Sequence, residues 1–216
     1  AAPRHTINLQ AFKAEQKKAE AAKLEELKRK VEDVLASNPK LASIGGQIQL
    51  DMTRDGLRIQ IVDEGNRPMF DSGSALVKSY MRDLLRELGL VLSEVPNRLT
   101  LEGHTDAQPF AGGERGYSNW ELSADRANSS RRELILAGLP EDRILRIQGL
   151  ASSNLLNHED PLSPVNRRIS IIVMNREAED RVFKPQLDAE LAAQELAAQG
   201  AAQPQDVASS SPPANR

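Results

Sequence analysis

Leu99-Thr100-Leu101-Glu102-Gly103-His104-Thr105-Asp106 begins with apolar alternation and ends in a polar cluster. Leu99 and Leu101 alternate with polar residues, the signature of a short strand with one apolar face. The strand runs out in Gly103-His104-Thr105-Asp106, so these polar groups sit at its C-terminal end, where the next loop begins. That loop carries Gly112, Gly113 and Gly116 and leads into a helix between about Asn119 and Ala137, closed by Gly138 with Pro140 just beyond. Ile144 to Gly149 and Arg168 to Met174 read as two further strands, joined by a loop through Pro161 and Pro164 to Asn166.

Upstream, Ile48, Leu50 and Met52 alternate with polar residues, Asp55-Gly56 supplies hairpin-turn chemistry, and Leu57, Ile59 and Ile61 resume the alternation. After the Asn66-Arg67-Pro68 loop, Ser74 is placed to cap a helix whose Val77, Tyr80, Met81, Leu84, Leu85, Leu88 and Val91 share one face, ending by Pro96. Lys13 to Ala36 is charged and Ala-rich, with Leu24, Leu27, Val31 and Val34 at helical spacing. Its apolar stripe is short for a coiled coil, which favours packing onto the domain over self-pairing. At the other end, Pro185 to Gln199 reads as a helix, and Gly200 to Arg216 offers almost nothing to bury.

The order helix, β, β, α, β, α, β, β, helix predicts an α/β class fold, an α+β sandwich in which a mixed sheet carries its helices and is flanked by N- and C-terminal helices. The expected boundaries are a linker and amphipathic helix over 1–40, a core domain over 41–176, a C-terminal helix over 177–199 and a disordered tail over 200–216. Lys and Arg total 28 against 31 Asp and Glu, a net charge of −3 that supplies no general pull toward nucleic acid or anionic lipid. Cysteine is absent, which excludes disulfides, thiolate metal sites and thiol nucleophiles. No run approaches the ~18 consecutive apolar residues of a membrane span, and the start lacks a signal sequence. The chain begins with Ala1 rather than Met, as a fragment of something longer would.

Asp106 and Arg126 are the charged residues that one loop and about one helical turn bring toward each other. A zwitterionic amino-acid head needs one fixed carboxylate for its ammonium and one guanidinium for its carboxylate. Two arrangements fit the spacing: such a clamp, or a surface ion pair between the two residues, worth little. His104 invites a hydrolase or zinc reading, but His5 and His158 are remote in sequence, zinc needs three or four ligands, and no Gly-x-Ser-x-Gly is present. Gly112, Gly113 and Gly116 are followed by no Gly-Lys-Ser/Thr, so they form no phosphate loop. No cofactor, no metal and no catalytic residue is expected.

Gly103-His104-Thr105-Asp106, the block Tyr117-Ser118-Asn119-Trp120-Glu121-Leu122-Ser123-Ala124-Asp125-Arg126-Ala127, and Asn166-Arg167-Arg168-Ile169-Ser170-Ile171 resemble, in this order, the three signature blocks of OmpA-like domains. The likeness runs from about Gly46 to Met174. It implies non-covalent binding of peptidoglycan, with an Asp and an Arg clamping the diaminopimelate of the stem peptide, and these fall on Asp106 and Arg126. It also implies that Thr105, Leu122, Ser123 and Asn166, with one of Arg167 and Arg168, border the ligand; strand-end polar, core apolar and helix-cap roles fit Thr105, Leu122 and Ser123 equally. Arg167 and Arg168, adjacent in an extended segment, should point to opposite faces. His104, Asn119 and Arg131 are supporting or partner-contact candidates.

Gly56-Leu57-Arg58-Ile59-Gln60-Ile61 through Met69-Phe70, together with Asn119-Trp120, are more similar to the flagellar stator B subunits than to outer-membrane porins or peptidoglycan-associated lipoproteins. That branch implies a periplasmic anchor needed for motility, a homodimer, a MotA-type stator subunit as partner, and a single inner-membrane span that this sequence does not contain. A general outer-membrane or lipoprotein-type tether is the alternative, and a peptidoglycan hydrolase is the other reading.

Overall fold

The computed structural model describes residues 9–111 and 116–201. His5, Gly112, Gly113 and the part of the expected disordered tail beyond residue 201 lie outside the described residues. The elements are α1 (Leu9–Ser37), α2 (Pro39–Ala42), β1 (Ile48–Thr53), β2 (Gly56–Val62), α3 (Ser79–Ser93), β3 (Leu99–His104), α4 (Asn119–Leu136), β4 (Ile144–Gly149), β5 (Arg168–Met174) and α5 (Arg176–Ala201). Residues up to Glu179 form one unit, and a second begins at Asp180 with the remainder of α5, which runs through Pro185 and includes Gly200 and Ala201. Among the described residues no helix is long and apolar enough to cross a membrane.

The five strands form one mixed sheet in the order β1-β2-β5-β3-β4. β5 lies at its centre, antiparallel to both β2 and β3, while β3 and β4 are parallel and joined through α4. Because side chains alternate along a strand, the pairing stacks Leu57, Val173 and Leu99 in one row and Ile59, Ile171 and Leu101 in the next. All six are buried, and α1, α3 and α4 contribute to the same core. The opposite rows are richer in polar residues: Gln60, Ser170 and Glu102, then Val62, Arg168 and His104.

Two glycines are fixed by close approach. A Cβ on Gly103 would lie 1.9 Å from the Ser123 carbonyl oxygen, so its absence lets α4 sit down on β3. The hairpin turns on Arg54-Asp55, with Gly56 as the first residue of β2 rather than part of the turn. There φ is 132° and a Cβ would strike the Val173 carbonyl at 2.0 Å.

α1 supplies Leu24, Leu27, Val31 and Leu35 to the core, while Val34 is partly buried beside them. Its polar face is tied down by Lys17 to Glu177, Lys30 to Glu94, and Glu20 Oε1, which accepts from the Arg176 backbone N–H. Leu9 and Phe12, near its start, are exposed. Truncating Leu27 to Ala should therefore cost about 2–5 kcal/mol of unfolding free energy, as for a fully buried leucine. Phe12→Ala should shift the same denaturation midpoint hardly at all. Equal midpoints for the two variants would mean that α1 is not part of the folding unit.

Candidate functional site

The site is built by the register of three strands. β2 and β3 both end where β5 begins, so the residues just beyond this edge meet: Asp63 after β2, Thr105 and Asp106 after β3, Arg167 before β5. Asp63, Arg167 and Thr105 prolong the row of Ile61, Ile169 and Gly103, on the helix-covered face. α4 starts over this edge. Its first turn is fixed by a capping box, in which the Ser118 N–H donates to Glu121 at 2.7 Å and the Ser118 hydroxyl accepts from the Trp120 N–H at 3.2 Å. From there Leu122 and Arg126 look down on the strand ends.

Arg126 is 7% exposed, and no carboxylate lies within ion-pair distance of it among the described residues. Its Nε donates to the Ser74 carbonyl at 2.9 Å and its Nη2 to the Asp71 carbonyl at 3.3 Å, and its guanidinium carbon stands 4.9 Å from the centre of the Phe70 ring. The expected helix start at Ser74 is corrected by this contact. α3 begins at Ser79, with Lys78 in the cap position and no side-chain cap. Residues 69–78 instead close into a loop through a Phe70–Val77 bridge and the Lys78 N–H to Met69 carbonyl bond, with Lys78 ion-paired to Asp71. That loop turns its carbonyls onto the arginine. Burial lowers the Arg126 pKa, with the Asp63 charge opposing, yet a guanidinium stays charged in such surroundings.

Asp106, 6% exposed, pairs with Arg167 and not with Arg126. Arg167 lies between two carboxylates, its Nη1 2.8 Å from Asp106 Oδ2 and its Nε 2.8 Å from Asp63 Oδ2. The remaining oxygens accept backbone N–H groups, Asp106 Oδ1 from Gln108 at 3.1 Å and Asp63 Oδ1 from Met69 at 2.7 Å. Burial raises the Asp63 pKa against the bonds from Arg167 and Met69. Burial also works against the charge of Arg167, but its bonds to Asp63 and Asp106 outweigh that and raise its pKa. Asp106, Arg126 and Arg167 all line one open cleft of about 630 Å³. Carboxylate and guanidinium thus face the same space without neutralising each other. That is an arrangement for a ligand bearing both an ammonium and a carboxylate.

Thr105, Leu122 and Asn119 line this cleft as well, and the Asn119 side chain donates to the Gln108 carbonyl at 2.8 Å. Other expected contacts are structural. Ser123 is fully buried: its hydroxyl donates to the Trp120 carbonyl and accepts the Ala151 N–H, which locks α4 to the turn after β4. Asn166 is equally buried and laces the preceding loop, accepting the N–H groups of Leu156 and Asn157 and donating to the Asn157, Asp160 and Pro161 carbonyls. Arg168 points away from Arg167, as adjacent residues of an extended segment do, and donates to Gln60, Asn154 and Asn166. Arg131 is engaged with Asn128 and Glu141, outside the cleft. Cleft residues that the sequence reading missed include Asp63, Phe70, Asp71, Lys78 and Phe110. Asp63 had a signal, since it follows β2 as Asp106 follows β3. Among the described residues, no group of three or more His, Cys, Asp or Glu is arranged to hold a metal.

The OmpA family model matches residues 69–168. Motility protein B of Escherichia coli strain K12 is 48% identical over 167 residues, which are 77% of this chain and 54% of that protein. The putative truncated flagellar export/assembly protein LafU of the same strain is 36% identical over 168 residues, 78% of this chain and 77% of that protein. A solved structure of the periplasmic domain of Helicobacter pylori MotB has the same fold, with a TM-score of 0.54 at 21% identity over 69% of this chain and 92% of that one. The chain spans about half the length of the motility protein B sequences that it matches.

His104, a supporting candidate by sequence, faces the polar side of the sheet, away from the cleft. Its side chain is 1% exposed, neither ring nitrogen has a hydrogen-bond partner, and Nε2 is 3.8 Å from Glu102. Burial lowers its pKa below the ordinary 6.5, with Glu102 opposing and Arg168 assisting. Below pH 6.5 the unfolded chain therefore takes up a proton that the native state refuses, and stability falls as pH falls until the depressed pKa is reached. His104→Gln should flatten this acid-side fall in thermal melting temperature; an unchanged slope would show that His104 is not its source.

Proposed function

The chain belongs to the OmpA family, among the relatives of motility protein B, and from that premise we propose that it holds peptidoglycan non-covalently and anchors a flagellar motor stator to the cell wall. One observation carries the reading: Asp106 and Arg126 open onto the same cleft unpaired with each other, and Arg126 has neutral carbonyl partners only. The amino-carboxyl head of diaminopimelate in the stem peptide supplies the matching ammonium and carboxylate. Its ammonium binds at Asp106 and its carboxylate at Arg126, with Thr105, Asn119 and Leu122 forming the walls.

Nothing in this action requires a bond to be made or broken. Anchoring strength comes from number: two copies gripping one polymer raise the effective concentration of the second site, so modest affinity per site suffices. The wider proposal follows the same family. The domain works in the periplasm as part of a homodimer, its full-length protein is held in the inner membrane by one span, and a MotA-type subunit is its stator partner.

Co-sedimentation with purified sacculi tests the site. Asp106→Asn and Arg126→Ala should each weaken binding by roughly ten- to a hundredfold, the loss of one charge-assisted hydrogen-bonded contact, measured on protein whose circular dichroism shows the native fold. Binding unchanged in both variants would remove the site. Release of soluble wall fragments by the parent would replace anchoring with hydrolysis.

A further inference from the structure

The two arginines of the cleft are held in opposite ways. Arg126 donates to the neutral carbonyls of Ser74 and Asp71 and makes no ion pair among the described residues, although the Asp63 charge acts on it from a distance. Arg167 is gripped by two carboxylates, Asp63 and Asp106, which leaves that trio with one negative charge in excess. An amide oxygen at position 63 would also accept the Arg167 Nε, in a weaker bond. It would also avoid the cost of desolvating a carboxylate that is 4% exposed. A buried charge used where a dipole would serve calls for a reason beyond holding the arginine.

We propose that Asp63 is a positioning residue that sets ligand preference: by taking up the charge of Arg167 it leaves Asp106 with a net negative environment, so the cleft selects an ammonium-bearing carboxylate over a carboxylate alone. This rests on the reading given under Proposed function and adds a selectivity residue to the same site. Asp63 acts through Arg167 in this scheme: its Oδ2 accepts the Arg167 Nε, and its Oδ1 accepts the Met69 N–H. The cleft becomes polarised, negative where β2, β3 and β5 meet and positive under α4. Without Asp63, Arg167 and Asp106 form a neutral pair, and the excess negative charge that favours an arriving ammonium is gone.

The test compares co-sedimentation with untreated sacculi and with sacculi whose free amines have been acetylated, which removes the ammonium and keeps the carboxylate. The ratio of the two affinities is the readout. The parent should prefer untreated wall, and Asp63→Asn should cut that ratio on the order of tenfold. Asp63→Asn combined with Arg167→Gln restores the single excess negative charge and should recover the ratio; a purely structural role for Asp63 predicts that the pair does no better than the single change. Arg167→Gln alone leaves both carboxylates uncompensated and should raise the ratio above the parent's, a result readable even where Asp63→Asn fails to fold. A parent ratio near one, an Asp63→Asn ratio equal to the parent's, a double variant no better than the single, or a lower ratio in Arg167→Gln overturns the inference. A parent that sediments with neither wall overturns the peptidoglycan reading instead.

Discussion

The antiparallel ladders on both sides of β5 are the constraint from which the rest follows. They fix which residues of β2 and β3 lie beside each residue of β5, so they fix both the apolar rows under the helices and the polar residues that emerge at the sheet's end. A slip of one residue in either ladder would turn every side chain of the strand to the other face. It would expose Ile59 or Leu101 and send Asp63 or Thr105 to the wrong side. The core thus enforces the register, and the register assembles Asp63, Asp106 and Arg167. Stability and recognition have one cause here.

Strands were legible because apolar residues alternate. β4 and β5 fall at the predicted residues, and the opposed directions of Arg167 and Arg168 follow from the two-residue period. That Asp106 and Arg126 share one cleft was legible through ordered motifs, whereas spacing alone favoured a surface pair between them. What escaped was contact made by backbone. Ser74 has cap chemistry, and its hydroxyl does accept a local N–H, that of Leu76. Tertiary demand for carbonyls around Arg126 prevails there over a helical start, and composition does not encode where a carbonyl points. Ser123 and Asn166 were misplaced for a related reason: motif residues bordering a site can hold its backbone instead of its ligand.

The cleft depends on two kinds of buried polar group. Asn166 and Ser123 are neutral and saturated by backbone partners, so they define shape with little electrostatic consequence. Asp63 and Arg126 keep charge in a poorly solvated place, with Arg167 half-buried beside them, where electrostatic interactions are strong because little water screens them. Neutral lacing sets where the walls stand. Charged groups then determine what is welcome between them.

The packing of α1 has a mechanical side. Leu24, Leu27, Val31 and Leu35 anchor the helix along three turns, with Lys17–Glu177 and Lys30–Glu94 bracing its flanks. A pull delivered along the axis from its exposed first turns loads all these contacts at once, in shear, instead of peeling them off singly. A force arriving there would spread through the core to the sheet before reaching the cleft. The same three leucines and one valine that stabilise the fold at rest would thus also serve as a load-sharing joint under tension.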